Sequence, residues 1–144
     1  MFDRILYPTD FSDVSMKAVR YVKQLKEAGA KEVTVLHVID ERSLFGTAHE
    51  IAIDYESIER ELRKVAEEKC NKILAEFREA GLDAKVKIEK GNPFQEILKV
   101  AQEENVSLIV IGSHGRSNVE EMFLGSVSEA VIRKAVGPVL VIKR

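Results

Sequence analysis

The residues best suited to chemistry in this sequence are Gly112, Gly115, Gly125 and Ser126, which follow an apolar run at 108–111. Such a run, rich in β-branched residues and stopped by a glycine, is typical of a fully buried parallel strand. A strand that leads through glycine turns into a helix presents backbone N–H groups without partners, and these suit a phosphate. The structural alternative is that the glycines only form tight turns and the serine only caps its helix.

Other chemistries have less support in the residue spacing. No Gly-Lys-Ser/Thr follows the glycines, so they do not form a Walker A loop, and their spacing is not the dinucleotide G-x-G-x-x-G. Ser113, His114 and Asp10 could be assembled into a nucleophilic triad, but no G-x-S-x-G turn supports one. Neither His37 nor His49 has a metal-ligand partner at zinc-site spacing. His37 is expected instead to lie in a strand with its ring hydrogen-bonded.

Hydrophobic periodicity predicts strands that alternate with helices along the chain, which indicates a mostly parallel sheet covered on both faces. Gly29 and Gly81 are expected to end the first two helices, because glycine accepts the backbone conformation found there. Asn92 is expected to cap the third helix, and Ser126 with Glu129 to form a capping box on the fourth. The predicted strands are 4–8, 33–39, 84–88, 108–111 and 139–142, and the helices are 14–25, 55–80, a segment starting at 93, and 126–135.

Three further features of the pattern bear on packing. The segment 40–54 has no steady period and is the best candidate for a mobile loop. Lys85 and Lys87 alternate with apolar residues, so the third strand is expected to be half wet or near an edge. The longest helix carries one apolar stripe that is expected to face the sheet, and its cysteine is expected to be core. The stripe consists of Ile58, Leu62, Val65, Ala66, Cys70, Ile73 and Phe77.

Composition excludes several classes of function. The 144 residues suit one domain, and no apolar run reaches the 18 residues of a membrane span. The net charge is −2 without a basic block, which argues against binding nucleic acid. A charged residue, Asp3, stands at the start of the chain, so no signal peptide is expected, and the single cysteine fits a reducing cytoplasm.

In parallel sheets of this class, ligands bind beyond the carboxyl ends of the strands, where the strand order reverses. If the first strand is central and lies beside the fourth, two loops meet at that point. One is Pro8-Thr9-Asp10 and the other is the glycine turn at 112–115. The predicted phosphate site would therefore face Asp10.

The pattern Gly112-x2-Gly115-x9-Gly125-Ser126 resembles the nucleotide-binding signature of the universal stress protein family, in its ATP-binding type. The resemblance runs along the whole chain, since the segments 4–10, 36–38 and 137–141 also look like the family. It implies one domain over 1–144, with a Rossmann-like α/β fold. The sheet would have five parallel strands in the order 3-2-1-4-5, with helices on both faces.

The resemblance also implies a binding site for ATP or AMP, with Mg or Mn held through the phosphates. Asp10 is the candidate carboxylate for that ion, and no site held by protein ligands alone is expected. The implied phosphate and ribose residues are Gly112, Gly115, Gly125 and Ser126, with Ser113, His114, Arg116, Val127 and Ser128 beside them. The implied adenosine residues are Pro8, Thr9, Asp10 and Val38.

Three functions remain open at this point. The favoured one is a cytoplasmic ATP-binding stress or signalling module that acts as a homodimeric switch on an unidentified protein partner, through a loop such as 40–54. The second is a slow ATPase or phosphotransferase, for which Asp10, Glu120 and Glu121 are candidate carboxylates without a committing spacing. The third is a structural dimer without nucleotide. The first and third hypotheses involve a dimer formed through the apolar strand 139–142, which would be an exposed edge of the sheet without a partner.

Overall fold

A computed structural model describes residues 1–42, 44, 54–113 and 125–144, and its sheet has the predicted topology. Five parallel strands lie in the order β3-β2-β1-β4-β5. The strands are β1 (Arg4–Pro8), β2 (Glu32–Asp40), β3 (Asp83–Gly91), β4 (Leu108–Gly112) and β5 (Val139–Ile142). The helices are α1 (Asp13–Gln24), α2 (Tyr55–Glu79), α3 (Pro93–Glu103) and α4 (Ser126–Lys134), and a 3-10 turn (Leu25–Ala28) extends α1.

The central strands are apolar on both faces because helices cover both faces. Along β1, Ile5 and Tyr7 point into one apolar cluster and Leu6 into the other, and all three are buried. The first cluster joins the sheet to α1 and α2, and the second joins it to α3 and α4. A continuous apolar run is therefore the expected sequence of β1 and β4, since neither strand has a wet side.

Three residues end or cap their helices as the sequence predicts. Gly29 and Gly81 have φ angles of 102° and 87°, the left-handed conformation that glycine adopts without strain. Asn92 accepts a hydrogen bond from the Gln95 amide, and Pro93 is the first residue of α3. These three predictions are confirmed.

Helix α2 departs from the predicted stripe in its first half. Ala66, Cys70, Ile73 and Phe77 are buried, whereas Leu62 and Val65 are 42% and 39% exposed. The reason is length, since 25 residues of helix span about 38 Å and a nine-residue strand only about 30 Å. The first half of α2 therefore stands beside the carboxyl ends of the strands.

The edges of the sheet are β3 and β5, as the sequence and the resemblance predict. The segment 40–54 lies mostly outside the described residues, apart from 40–42, 44 and 54. Within the described ranges, no helix combines the length and the apolar character that crossing a membrane requires.

Cys70 provides a test of the α1–α2 side of the core. Its side chain is fully buried, and burial raises the pKa of the thiol from 9.0 to about 11. At about pH 8 the folded protein should react with a thiol reagent at least about a hundredfold more slowly than the protein in denaturant, because the thiolate is the reactive form. Since the chain has one cysteine, the denatured sample reports the total thiol. Equal rates in both samples would contradict this packing.

Candidate functional site

A cleft of about 440 Å³ opens at the carboxyl ends of β1, β2 and β4, which is the size range of small-molecule sites. This is the place where the strand order reverses, as the sequence predicts. The cleft brings together nine of the predicted site residues: Pro8, Thr9, Asp10, Val38, Gly112, Gly125, Ser126, Val127 and Ser128.

The loop between β1 and α1 forms one wall, and short polar side chains fold it back on itself. The Asp10 carboxylate accepts the Ser12 amide at 2.9 Å, which is the loop-bonding role that aspartate commonly has. The Thr9 hydroxyl accepts the Phe11 amide at 3.0 Å and a second bond from the Ser15 hydroxyl at 2.6 Å. The Asp10 and Thr9 side chains thus accept backbone amides that would bond to water if the loop were extended.

Phe11 is the strained residue of this loop. Its φ of 65° is left-handed, which is uncommon for a residue with a side chain and costs about 1–3 kcal/mol. The ring stacks on His37 with centroids 4.6 Å apart. Nδ1 of His37 donates to the Thr9 carbonyl at 2.8 Å, because a carbonyl can only accept. The prediction that His37 lies in a strand with a bonded ring is confirmed.

Gly112 is a glycine because of the packing of α1. A Cβ at this position would lie 3.0 Å from Cγ1 of Val14 and 3.1 Å from the backbone nitrogen of Ser15. The sequence attributes the missing side chain to the approach of a ligand, but the structure gives it a second reason, the close contact of β4 with the first turn of α1. The hydroxyl of Ser128 donates to the Gly112 carbonyl at 2.7 Å and joins α4 to the same point.

The predicted capping box on α4 is wrong. Gly125 is the N-cap and, as a glycine, has no side chain with which to cap the helix, and Ser126 is the first helical residue. Glu129 does not reach back, and instead its carboxylate accepts a bond from Arg133 at 2.7 Å. The helix begins one residue earlier than predicted, because the Gly125 carbonyl accepts the Glu129 amide at 2.9 Å, while the Gly125 amide donates to the Ser113 carbonyl at 2.6 Å. The first turn of α4 lines the cleft, and no side chain of the described part of the chain caps its amides.

Ser113 is buried beneath the site and is not part of the cleft lining. Its amide donates to the Ile142 carbonyl at 2.8 Å, so its backbone connects β5 and α4. His114, Gly115 and Arg116 lie outside the described residues, as do Glu120 and Glu121, and their roles remain predictions.

Sequence reasoning missed the walls that other elements contribute. Asp40 and Arg42 line the cleft at the end of β2, and Arg42 donates to Asp40 from its backbone at 3.0 Å and from its guanidinium at 3.1 Å. Burial raises the pKa of Asp40, but the Arg42 bonds outweigh it and leave that pKa below the usual value. The missed apolar and aromatic lining includes Phe11, His37, Leu62, Val65, Ala66, Pro93, Ile97 and Ile111, and α2 adds Lys69.

Part of this wall has a signal in the sequence. The apolar stripe of α2 continues through Leu62 and Val65 beyond the length that the sheet can cover, and such an excess marks a surface that binds something else. Lys69 and Arg42 have no comparable signal, because isolated charges are normal on any surface. Within the ranges that the structure describes, no group of three metal-ligating side chains is found.

Comparison with known proteins decides the family. The model of the universal stress protein family matches residues 1–143. The chain belongs to the universal stress protein family. Universal stress protein MJ0577 of Methanocaldococcus jannaschii is 44% identical, over 100% of this chain and 96% of the relative. The solved structure of MJ0577 superposes with a TM-score of 0.90 at 42% identity, over 100% of this chain and 97% of that one.

More distant universal stress proteins share the fold and have been solved with nucleotides. One from Archaeoglobus fulgidus, in complex with dAMP, has a TM-score of 0.65 at 23% identity and covers 99% of this chain and 98% of its own. Another, in complex with cAMP, has a TM-score of 0.65 at 22% identity, over 99% and 97% of the two chains. These likenesses confirm the Rossmann-like fold implied by the sequence resemblance.

The contact at Gly112 yields a stability prediction. Gly112→Ala should lower the free energy of unfolding by about 1–3 kcal/mol, because backbone atoms of α1 cannot move away from the new methyl group cheaply. Gly137→Ala is the matched control, since nothing lies within 4 Å of its added Cβ, and it should change stability by less than about 0.5 kcal/mol. Urea denaturation measures both variants. Equal stabilities would mean that β4 and α1 are not in close contact.

Proposed function

We propose that this universal stress protein binds an adenine nucleotide, ATP or AMP, in the cleft at the carboxyl ends of β1, β2 and β4. The observation that carries the proposal is the start of α4, where amides that no described side chain caps lie at a cleft that also has apolar walls. A helix N-terminus attracts anions through these amides and through its dipole. The dAMP and cAMP complexes of distant relatives are consistent with such a ligand.

The base would bind on the α3 side of the sheet. Val38 is half-buried there and packs on the same apolar cluster as Ile97 and Ile111, and all three line the cleft. Pro93, at the start of α3, adds a further apolar surface. A purine needs flat apolar contacts and a few backbone polar groups, which the end of β2 supplies.

The phosphates would bind at Ser126 and Val127 in the first turn of α4, beside the N-cap Gly125, whose own amide is bonded to the Ser113 carbonyl. The predicted residues Gly115 and Arg116 would join them from the connection after β4. Mg or Mn would be held chiefly by phosphate oxygens, as a hard cation with few protein ligands usually is. Asp10 fits this arrangement as the one protein carboxylate. It lines the cleft, and the Ser12 amide, which donates to its Oδ1, fixes the orientation of the carboxylate.

The biological role that fits this site is a cytoplasmic nucleotide-dependent switch, acting as a homodimer on a protein partner. Nucleotide binding would stabilise one arrangement of the cleft walls over another, and a partner would recognise that arrangement. Dimerisation would cover β5, an edge strand whose residues Val139, Leu140 and Val141 are only partly buried within one chain.

The binding site is tested first on freshly purified protein. Denaturing it and analysing the released small molecules by mass spectrometry should identify an adenine nucleotide, and titration of nucleotide-free protein with ATP and Mg²⁺ should show saturable binding. Phosphate release in the same samples tests the alternative of a slow ATPase. If no nucleotide is released and none binds, the proposed function is wrong.

A charge at the start of α4 makes the test specific. Ser126→Asp should weaken ATP binding at least about tenfold, because a carboxylate would stand where the phosphates bind. The same change should not lower thermal stability, since an acidic residue in the first turn of a helix is favourable. Ser126→Asn is the control, since asparagine has the size of aspartate without its charge. It should bind ATP within about threefold of the original protein. Equal losses in both variants would place the phosphates elsewhere.

The dimer has a separate test. Val141→Lys introduces a charge on the edge strand β5 and should yield monomers in sedimentation experiments, because the charge would be buried against the partner strand. Ile88→Lys is the control on the opposite edge strand, β3, and should leave the dimer intact. Circular dichroism verifies that both variants are folded. A Val141→Lys dimer would show that β5 is not the interface.

A further inference from the structure

The charges that line the described cleft are two carboxylates and two cations: Asp10, Asp40, Arg42 and Lys69. Arg42 is neutralised by Asp40, to which its guanidinium donates at 3.1 Å. Lys69 has no such partner among the described residues, and its contact there is with the ring of Phe11. Lys69 is therefore the cation of this lining whose charge is available to an anionic ligand.

The ring of Phe11 holds the Lys69 ammonium at a defined place. Nζ lies 5.1 Å from the ring centroid, a cation–π contact. The ring itself cannot move freely, because it stacks on His37 and its backbone amide is bonded to the Thr9 hydroxyl. His37 in turn is bonded to the Thr9 carbonyl, so loop and strand form one connected platform.

The backbone of Lys69 is also well anchored. Cys70, the next residue, is fully buried, and Ala66, one turn earlier, is 1% exposed. These two buried positions fix the rotation of α2 about its axis, so the exposed side chain of Lys69 lies at the cleft, which it lines. The left-handed strain at Phe11 is thus maintained at a place where it positions a cation.

Lys69 and the start of α4 lie on opposite sides of the sheet. Helix α2 packs on the face with α1, and α4 packs on the face with α3, with the end of β1 between them. A single phosphate at the start of α4 would be held without reaching the α2 side of the sheet. A longer polyphosphate chain extends from that position and can approach a charge on the far wall.

We propose that Lys69 is a specificity-determining residue that makes the cleft favour a nucleoside triphosphate over a monophosphate, an inference that rests on the proposed nucleotide binding. Asp40 and Arg42 neutralise each other, and Asp10 is the proposed ligand of the phosphate-bound cation, so Lys69 is the charge of the described lining that can attract the phosphates directly. Each added phosphate brings a further negative charge for the ammonium to attract.

The experiment compares ATP, ADP and AMP by titration calorimetry in Mg²⁺, with the full chain and three variants. Lys69→Gln should weaken ATP about tenfold and AMP less than about threefold, since one ammonium acts mainly on the distal phosphates. Lys69→Arg should retain the preference for ATP. Lys72→Gln removes the same charge three residues further along α2, outside the cleft lining, and should change either affinity less than about twofold.

Phe11→Leu tests the platform without changing any charge. It removes the ring face beneath the ammonium and should weaken ATP about twofold to fivefold, with AMP nearly unchanged. Raising the salt concentration should weaken ATP binding less in Lys69→Gln than in the original protein, because a screened attraction has already been lost.

The two proposals fail differently. If the original protein binds none of the three nucleotides, the proposed function is wrong. If it binds them but Lys69→Gln leaves the ATP-to-AMP preference unchanged, or weakens both ligands equally, the inference about Lys69 is wrong and nucleotide binding stands. If Lys72→Gln weakens ATP binding as much as Lys69→Gln does, the inference about Lys69 is also wrong, since the effect would then come from the overall charge of the protein.

Discussion

The site depends on the close approach of Gly112 to the first turn of α1. With glycine at this position, the end of β4 packs directly on the backbone at Ser15. This contact brings together the end of β4, the loop after β1 and the start of α1. The hydroxyl of Ser128 and the amide of Gly125 then bond to the backbone at 112–113 and draw the start of α4 to the same place. A missing Cβ thus determines where these four segments converge.

A buried polar network makes this convergence rigid. The Tyr7 hydroxyl donates to the Ser15 carbonyl at 2.6 Å, and the Ser15 hydroxyl donates to Thr9. Burial raises the pKa of Tyr7, which keeps the hydroxyl protonated as a donor. Buried polar groups would be costly without partners, so this network stabilises one conformation of the loop in preference to others. It also maintains the unusual backbone of Phe11.

The two faces of the sheet contribute different chemistry to the cleft. The α3–α4 side supplies an apolar surface at Val38 and the open amides of α4. The α1–α2 side supplies Phe11, His37 and Lys69, which form a stacked column of rings and a cation. Because β1 lies in the centre of the sheet and has only five residues, the two sides of the sheet are open to each other beyond its carboxyl end. One ligand can therefore contact elements that belong to different halves of the core.

Much of the fold and part of the site could be predicted from the sequence, because they depend on local rules. The buried runs of β1 and β4, the glycines at 29 and 81, and the Asn92 cap each reflect backbone preferences that act over a few residues. The family resemblance added the strand order, and the structure agrees with it. The glycine and serine positions of the cleft were recognisable because backbone approach restricts residue type.

Other features were decided only by the tertiary structure, because they depend on distances between segments far apart in the chain. The sequence could not show that Gly125 and not Ser126 caps α4, or that the Gly125 amide is held by the carbonyl of Ser113 just beyond β4. Nor could it show that α2 brings Lys69 over Phe11, 58 positions away in the chain. Local sequence selects the strands, turns and helices, but the cleft forms where packing brings their ends together.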